Sequence, residues 1–287
     1  MRYVRFCFDS PRSFNAIILF LPLLLFFSTS LQALAANLFV SSDGSGTSCD
    51  QASPCSLETA VSLAQPLDSI YMAAATYTGS SNPMLYIAQD INIYGGWNKA
   101  ASGVIARNPD LYKSIMDGED VRRVIQIDGM ITVLLDGFSI IRGAAEDGGA
   151  GISSQNADLT LNNIILDSNV VLSTSGEVDG GAGKIVGGSL TITDSLLRHN
   201  STYSPVFSKG GGLVVMEATP TRIEGTAFTE NDSWDSSGLY FKGASTSSRA
   251  SITLHDNTFN GNGQGLSAGS SSGGYVGAAT VRNAVAN

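Results

Sequence analysis

Leu159-Thr-Leu-Asn-Asn-Ile-Ile-Leu-Asp-Ser-Asn169 is followed by Leu190-Thr-Ile-Thr-Asp-Ser-Leu-Leu-Arg-His-Asn200, Thr221-Arg-Ile-Glu-Gly-Thr-Ala-Phe-Thr-Glu-Asn231 and Ile252-Thr-Leu-His-Asp-Asn-Thr-Phe-Asn-Gly-Asn262. Each segment begins 31 residues after the one before. Leu166, Leu197, Phe228 and Phe259 form one column of the alignment, and Asn169, Asn200, Asn231 and Asn262 form another. A fifth copy, Val133-Leu-Leu-Asp-Gly-Phe-Ser-Ile-Ile-Arg-Gly143, lies 26 residues upstream. A register kept this strictly means that each repeat is one structural unit stacked on the next.

The first three residues of each copy place apolar side chains mostly at the first and third positions. This two-residue period belongs to a strand with one buried face. Gly137, Asn163, Asp194, Gly225 and Asp256 share a column. These residue types tolerate left-handed backbone angles, so a tight bend is expected there on every lap. Gly143 and the four Asn residues share that chemistry and predict a second bend. A Gly pair follows as a third marker: Gly148-Gly149, Gly180-Gly181 and Gly210-Gly211, weakened to Ser237-Gly238.

Frequent Gly, β-branched residues in the apolar slots and the lack of a 3.6-residue stripe argue against helical repeats. No Leu-rich consensus or propeller signature is present. The pattern predicts an all-β chain: a single-stranded parallel β-helix, each strand pairing with its copy one lap above at about 4.8 Å. The repeats occupy residues 101–287, and residues 36–100 form a cap and the first laps.

Residues 1–35 read as a secretory leader. Arg2, Arg5 and Arg12 precede an apolar run from Ala16 to Phe27, and Ala33-Leu-Ala35 is a small-x-small cleavage site. An uncleaved anchor is the alternative, although the run is short for one. Cys7 lacks the small-residue box of a lipidation site. Removing residues 1–35 takes away three Arg and one Asp, which moves the formal charge from −9 to −11. Such acidity disfavours nucleic acid and anionic membranes as partners. No later apolar run is long enough to span a bilayer. Cys49 and Cys55 are the only cysteines left, and in an exported chain they read as a short-loop disulfide. Metal ligation by the two would need further partners, and His199 and His255 are far away in sequence.

In the entry segment, Asn37 to Ser41 reads as a strand. Leu57, Ala60, Val61 and Ala64 fall on one face of a short helix with Ser56 as its N-cap, ended by Pro66. A solenoid exposes its first lap, so this helix is expected to plug the core. Strands follow at Ser69–Met72 and Ile91–Tyr94.

Pro54-Cys-Ser-Leu-Glu-Thr-Ala60, Asp68-Ser-Ile-Tyr-Met-Ala-Ala-Ala-Thr-Tyr-Thr-Gly79, Ile93-Tyr-Gly-Gly-Trp97, Arg107-Asn-Pro-Asp-Leu-Tyr112, Met116-Asp-Gly118 and Leu135-Asp-Gly-Phe138 resemble exported bacterial right-handed parallel β-helix proteins. These are pectin-lyase-like superfamily members related to the chlamydial polymorphic outer membrane proteins. The resemblance covers nearly all of the chain after the leader, and it implies fold and export far more than activity. It departs at the end. Gly277-Ala-Ala-Thr-Val-Arg-Asn283 reads as the start of another lap, and no β-barrel translocator or surface anchor is recognisable before Asn287.

The superfamily includes polysaccharide-degrading enzymes, whose chemistry would need an acidic site. Polygalacturonase-type Asp motifs with Gly-His-Gly are missing. Glu146-Asp147 and Glu177-Val-Asp179 precede successive Gly pairs, and Lys209 holds the equivalent slot one lap on. Stacking predicts one column of Asp147, Asp179 and Lys209. Two carboxylates could hold Ca²⁺ against a uronate while the basic side chain takes the α-proton; a solvated acidic loop is the plainer account. Ca²⁺ is the one cofactor this pattern suggests. Gly180-Gly-Ala-Gly-Lys184 fails as a phosphate loop, because Val178 stands where Gly is needed and Ile185 follows the Lys. Both His residues read as surface groups. Among Trp97, Trp234, Tyr203 and Tyr240, Trp97 reads as packing, and Trp234, in the polar loop Asn231–Ser237, is the better candidate for stacking on a sugar.

Three functions compete. The chain is an exported, non-catalytic adhesin-like protein binding glycan or a surface protein; or a lyase or glycoside hydrolase acting on an acidic polysaccharide; or a structural solenoid piece. Each is compatible with an extracellular, cell-surface or periplasmic location.

Overall fold

The computed structural model describes residues 35–243 and 250–263 and the strands Leu266–Ala268, Val276–Arg282 and Val285–Ala286. The leader assigned to residues 1–35 lies outside the described residues except for Ala35.

The alternating strands seen in the sequence do not pair with their chain neighbours. Each pairs in parallel with its copy one lap away. One lap runs through Thr132–Asp136, Ser139–Ile141 and Ile152–Gln155 before Asp158–Asn162 starts the next. The first position belongs to a nine-stranded sheet I, the second to an eight-stranded sheet II and the third to a seven-stranded sheet III. Three long sheets around one core, each fed by one strand per lap, make a parallel β-helix. Val276–Arg282 continues sheet I on the strand Ala250–His255, as the sequence near the end predicts.

Period two decides which side chains enter the core. Leu159 and Leu161 point inward, while Thr160 and Asn162 are partly exposed. Leu166, Leu197, Phe228 and Phe259 are register partners in sheet II, all 3% exposed or less. The rings of Phe228 and Phe259 stack at 4.7 Å. This interior file is one continuous apolar core with the buried side chains of the other sheets.

The first predicted bend is present: Gly137, Asn163, Asp194, Gly225 and Asp256 have φ of 76°, 50°, 48°, 58° and 53°. The second differs from expectation by one residue. The left-handed positions are Arg142, Ser168, His199, Glu230 and Gly261, each just before the Asn column. Asn169, Asn200 and Asn231 are instead buried, and their amides bond from lap to lap.

The helix spans Leu57–Leu63, with Ser56 as N-cap accepting from the Thr59 amide. It buries Leu57 and Ala60 against the first rungs, as a plug should. Cys49 and Cys55 are joined in a disulfide. No helix among the described residues is long and apolar enough to cross a membrane.

Candidate functional site

From Thr132 onward sheets I and II are joined by two residues in every lap, and connection length varies most between sheets II and III. There the connecting segments have seven residues (118–124), then ten (142–151), fifteen (168–182), fourteen (199–212) and nine (230–238). The longer loops reach outward and carry strands of their own. Ala144–Ala145, Val170–Leu172 and Ser201–Tyr203 form a three-stranded sheet IV, and Val178–Asp179 pairs with Ser208–Lys209. This flank gathers the charged and aromatic candidates.

Its register corrects the sequence alignment by one residue. Ile152 pairs with Gly183, and Gly183 with Leu213. Gly149, Gly180, Gly210 and Ser236 therefore share a rung, all left-handed, with φ of 64°, 64°, 62° and 54°. A Cβ at Gly180 would lie 2.2 Å from the Gly183 carbonyl oxygen, so only Gly fits there. On this register the partner of Asp179 is Gly148, not Asp147. The expected column of Asp147, Asp179 and Lys209 breaks at its first member.

Asp147 turns outward to an ion pair with the Arg123 guanidinium. Arg123 also donates to the carbonyls of Gly148 (2.8 Å) and Gly149 (3.1 Å) and to Gln126 Oε1 (3.2 Å). Asp179 and Lys209 are true register partners, with Lys209 Nζ 3.3 Å from Asp179 Oδ1. That oxygen is buried and accepts no hydrogen bond, so the contact is an ion pair alone. Lys184 is a further member of the cluster that the repeat pattern does not reveal. Its Nζ is 3.5 Å from Asp179 Oδ2 and 3.1 Å from the Asp147 carbonyl oxygen. Asp179 is thus held between two ammonium groups, with its side chain 14% exposed.

The two carboxylates proposed to share Ca²⁺ sit in separate ion pairs. Among the described residues, no three His, Cys, Asp or Glu side chains gather as metal ligands.

Lys209 Nζ also lies over the rings of Tyr240 (5.2 Å) and Phe207 (5.7 Å). Phe207 in turn meets Trp234, with ring centroids 6.1 Å apart. Trp234 is 62% exposed, yet its backbone is fixed. Its amide donates to Ser208 Oγ at 3.1 Å, and the Asp235 amide donates to the Ser208 carbonyl at 3.0 Å. Trp97 is fully buried beside Phe39, as its expected packing role requires. Tyr240 is buried under Lys209, and Tyr203 is exposed.

Two clusters escaped sequence reasoning. On sheet I, Tyr71 and Tyr94 stack at 5.3 Å, and Arg107 lies 4.6 Å over the Tyr94 ring while bonding Asp136 at 2.5 Å. Burial pushes the Tyr94 hydroxyl up, with Tyr71 and Asp136 adding to the effect and Arg107 opposing it. Arg107 comes from a non-periodic turn, so no repeat signal reveals it. At the bend after sheet II, His199 bridges carboxylates of the laps on either side, Asp167 (3.1 Å) and Glu230 (3.0 Å). Burial works to raise the Asp167 carboxyl, but hydrogen bonds from His199, Ser168 and Arg198 outweigh it and hold the group below the usual carboxylate range. His255 faces Glu224 on the outer side of sheet I, as the alignment places it.

Comparison with solved structures finds similarity to the crystal structure of pectate lyase Pel9A, with a TM-score of 0.52 and 15% sequence identity. The match covers 80% of this chain and 55% of that one, so the chain spans about half the length of the enzyme. The likeness is one of fold. No protein-family model matches the chain, and no curated protein matches it.

Proposed function

We propose that the chain is an exported, non-catalytic β-helix protein that acts outside the cytoplasm, in the periplasm, at the cell surface or beyond it, and binds carbohydrate through its loop flank. The observation that carries this is Trp234, a large exposed indole on a backbone pinned to the neighbouring rung and backed by Phe207. An exposed aromatic face held rigid binds an apolar sugar face at low entropic cost. Asp232 and Asp235 flank it with carboxylates for sugar hydroxyls. The Cys49–Cys55 disulfide and the leader-like residues 1–35 support export.

The shared fold with a pectate lyase brings a second candidate, cleavage of an acidic polysaccharide. The charges argue against it. A base that abstracts an α-proton must be free to take it, and Lys209 is engaged by Asp179 and two rings.

The test is a glycan array probed with residues 36–287. Saturable binding is expected, and Trp234→Ala should abolish it. An array at background would sink the carbohydrate assignment. Unsaturated product from polygalacturonate, lost in Lys209→Ala, would replace it with the lyase.

A further inference from the structure

The step in loop length leaves a groove of about 670 Å³ beside sheet IV. The segment 118–124 is three residues shorter than 142–151 in the next lap. It reaches Ala144 with one contact, the Ala144 amide donating to the Arg122 carbonyl at 2.9 Å, and then turns back toward sheet III. Ala144–Ala145 is consequently an edge strand. Among the described residues, no strand or bridge pairs with its outer side. Backbone groups of a strand alternate in direction. The Ala144 amide points outward, so the Ala144 carbonyl and the Glu146 amide point outward with it, into the groove.

The groove has an apolar floor and an acidic rim. Val121 and Leu172 line it at 63% and 53% exposure, high for aliphatic side chains. Ala144 and Val170 complete the floor. Asp120, Glu146 and Asp147 are its carboxylates and Arg123 its one cation. Arg123 is already engaged by Asp147, Gln126 and two carbonyls. Counting the adjoining charges Asp117, Glu119, Arg122 and Arg142 as well, the region stays net negative by two. Glu146 is exposed with no ion-pair partner among the described residues.

We propose that this groove docks an extended, basic polypeptide segment by adding a strand to the open edge of sheet IV. Edge pairing supplies main-chain hydrogen bonds, and alternate side chains then read the walls. Apolar side chains of the segment settle on Val121 and Leu172, and Lys or Arg side chains meet Glu146 and Asp120. The site is separate from Trp234 and does not depend on the carbohydrate assignment.

The test uses residues 36–287 and a labelled peptide of alternating Lys and Val, about eight residues long and so able to run the groove at ~3.3 Å per residue. The peptide should bind saturably, more weakly as salt is raised, and should slow amide exchange at residues 144–146. Glu146→Lys should weaken it about tenfold or more, and Leu172→Ser should weaken it as well. Both positions are exposed, and thermal unfolding serves to verify that each variant is folded. A Glu-Val peptide that binds equally, or Lys-Val binding that Glu146→Lys leaves intact, overturns the proposal. Displacement of the peptide by neutral oligosaccharides assigns the groove to glycan and overturns it as well. Trp234→Ala should leave peptide binding unchanged, so either site can fail alone.

Discussion

Asn169 donates its side-chain amide to Asn200 Oδ1 at 2.9 Å, and the same oxygen accepts the Asn169 backbone amide at 3.0 Å. The arrangement repeats between Asn200 and Asn231, and between Asn231 and Asn262. Each Asn also donates to a carbonyl of the sheet II strand one lap earlier, as Asn200 does to Leu166 at 2.9 Å. A buried turn leaves main-chain groups that must be paired, and one planar amide per lap pairs several of them. Asn200→Ala would strand the Asn169 amides and the Leu166 carbonyl away from water. We expect a loss of about 3 kcal/mol from several unmade bonds, measured by denaturant unfolding. Asn200→Asp should cost a similar amount, because a carboxylate cannot donate to Leu166. A loss under about 0.5 kcal/mol, the range of a neutral surface change, would mean the ladder is dispensable.

Between Asp179 and its two lysines the balance is different. Removing Lys209 leaves a mostly buried carboxylate with only Lys184 beside it. Lys209→Met should destabilise by about 1–3 kcal/mol, less than the cost of breaking an isolated buried pair, because Lys184 remains. The double variant Asp179→Asn/Lys209→Met should recover part of that loss, since the buried carboxylate is then gone and Lys184 keeps its bond to the Asp147 carbonyl. A double-mutant cycle on unfolding free energies reads the coupling directly. Additive losses would show that the two side chains do not interact in solution.

The core of the solenoid was legible in the sequence for a physical reason. Sheets I and II are joined by a fixed bend, and the shorter connections to sheet III are offset by longer returns to sheet I, so Leu166, Leu197, Phe228 and Phe259 keep one spacing and one register. The candidate site was legible only in part, because it sits where lap length varies. Two adjacent glycines at 148 and 149, both with positive φ, do not reveal which one shares a rung with Gly180. Choosing Gly148 as the partner of Gly180 slid Asp147 beside Asp179, whereas Gly149 holds that place. The Asn column misled in another way. Asn tolerates left-handed angles, but here the preceding residue adopts them and the Asn side chain serves as a buried bonding group. Residue type alone does not separate these two uses of Asn.

Trp234 allows function and stability to be separated. Its side chain is largely exposed and makes one ring contact, with Phe207. Trp234→Ala should therefore change unfolding free energy by less than about 1 kcal/mol while abolishing glycan binding. Phe207→Ala should weaken binding less than Trp234→Ala, because it removes only the backing of the indole. Loss of both binding and folded structure in Trp234→Ala would make the indole a packing residue and remove its role as a contact.

Asp167 gives the fold an acid-sensitive contact. Its carboxylate accepts from Arg198 Nε at 2.8 Å, from Ser168 Oγ at 2.9 Å and through a His199 contact of 3.1 Å, and His199 also faces Glu230. These contacts, acting against burial, keep the folded carboxyl below its ordinary value. A group depressed on folding stabilises the native state above its unfolded pKa, and that stability is lost as pH falls through the folded pKa. The affected window lies below about pH 4, where a free Asp takes up its proton. Wild-type melting temperature should therefore fall more steeply in this acid window than that of Asp167→Asn, which has no proton to take up there. Glu224, held low chiefly by its hydrogen bond from Arg222, titrates in both proteins and cancels in the comparison. Parallel melting curves for the two proteins across the acid range would show that the Asp167 contacts contribute nothing in solution.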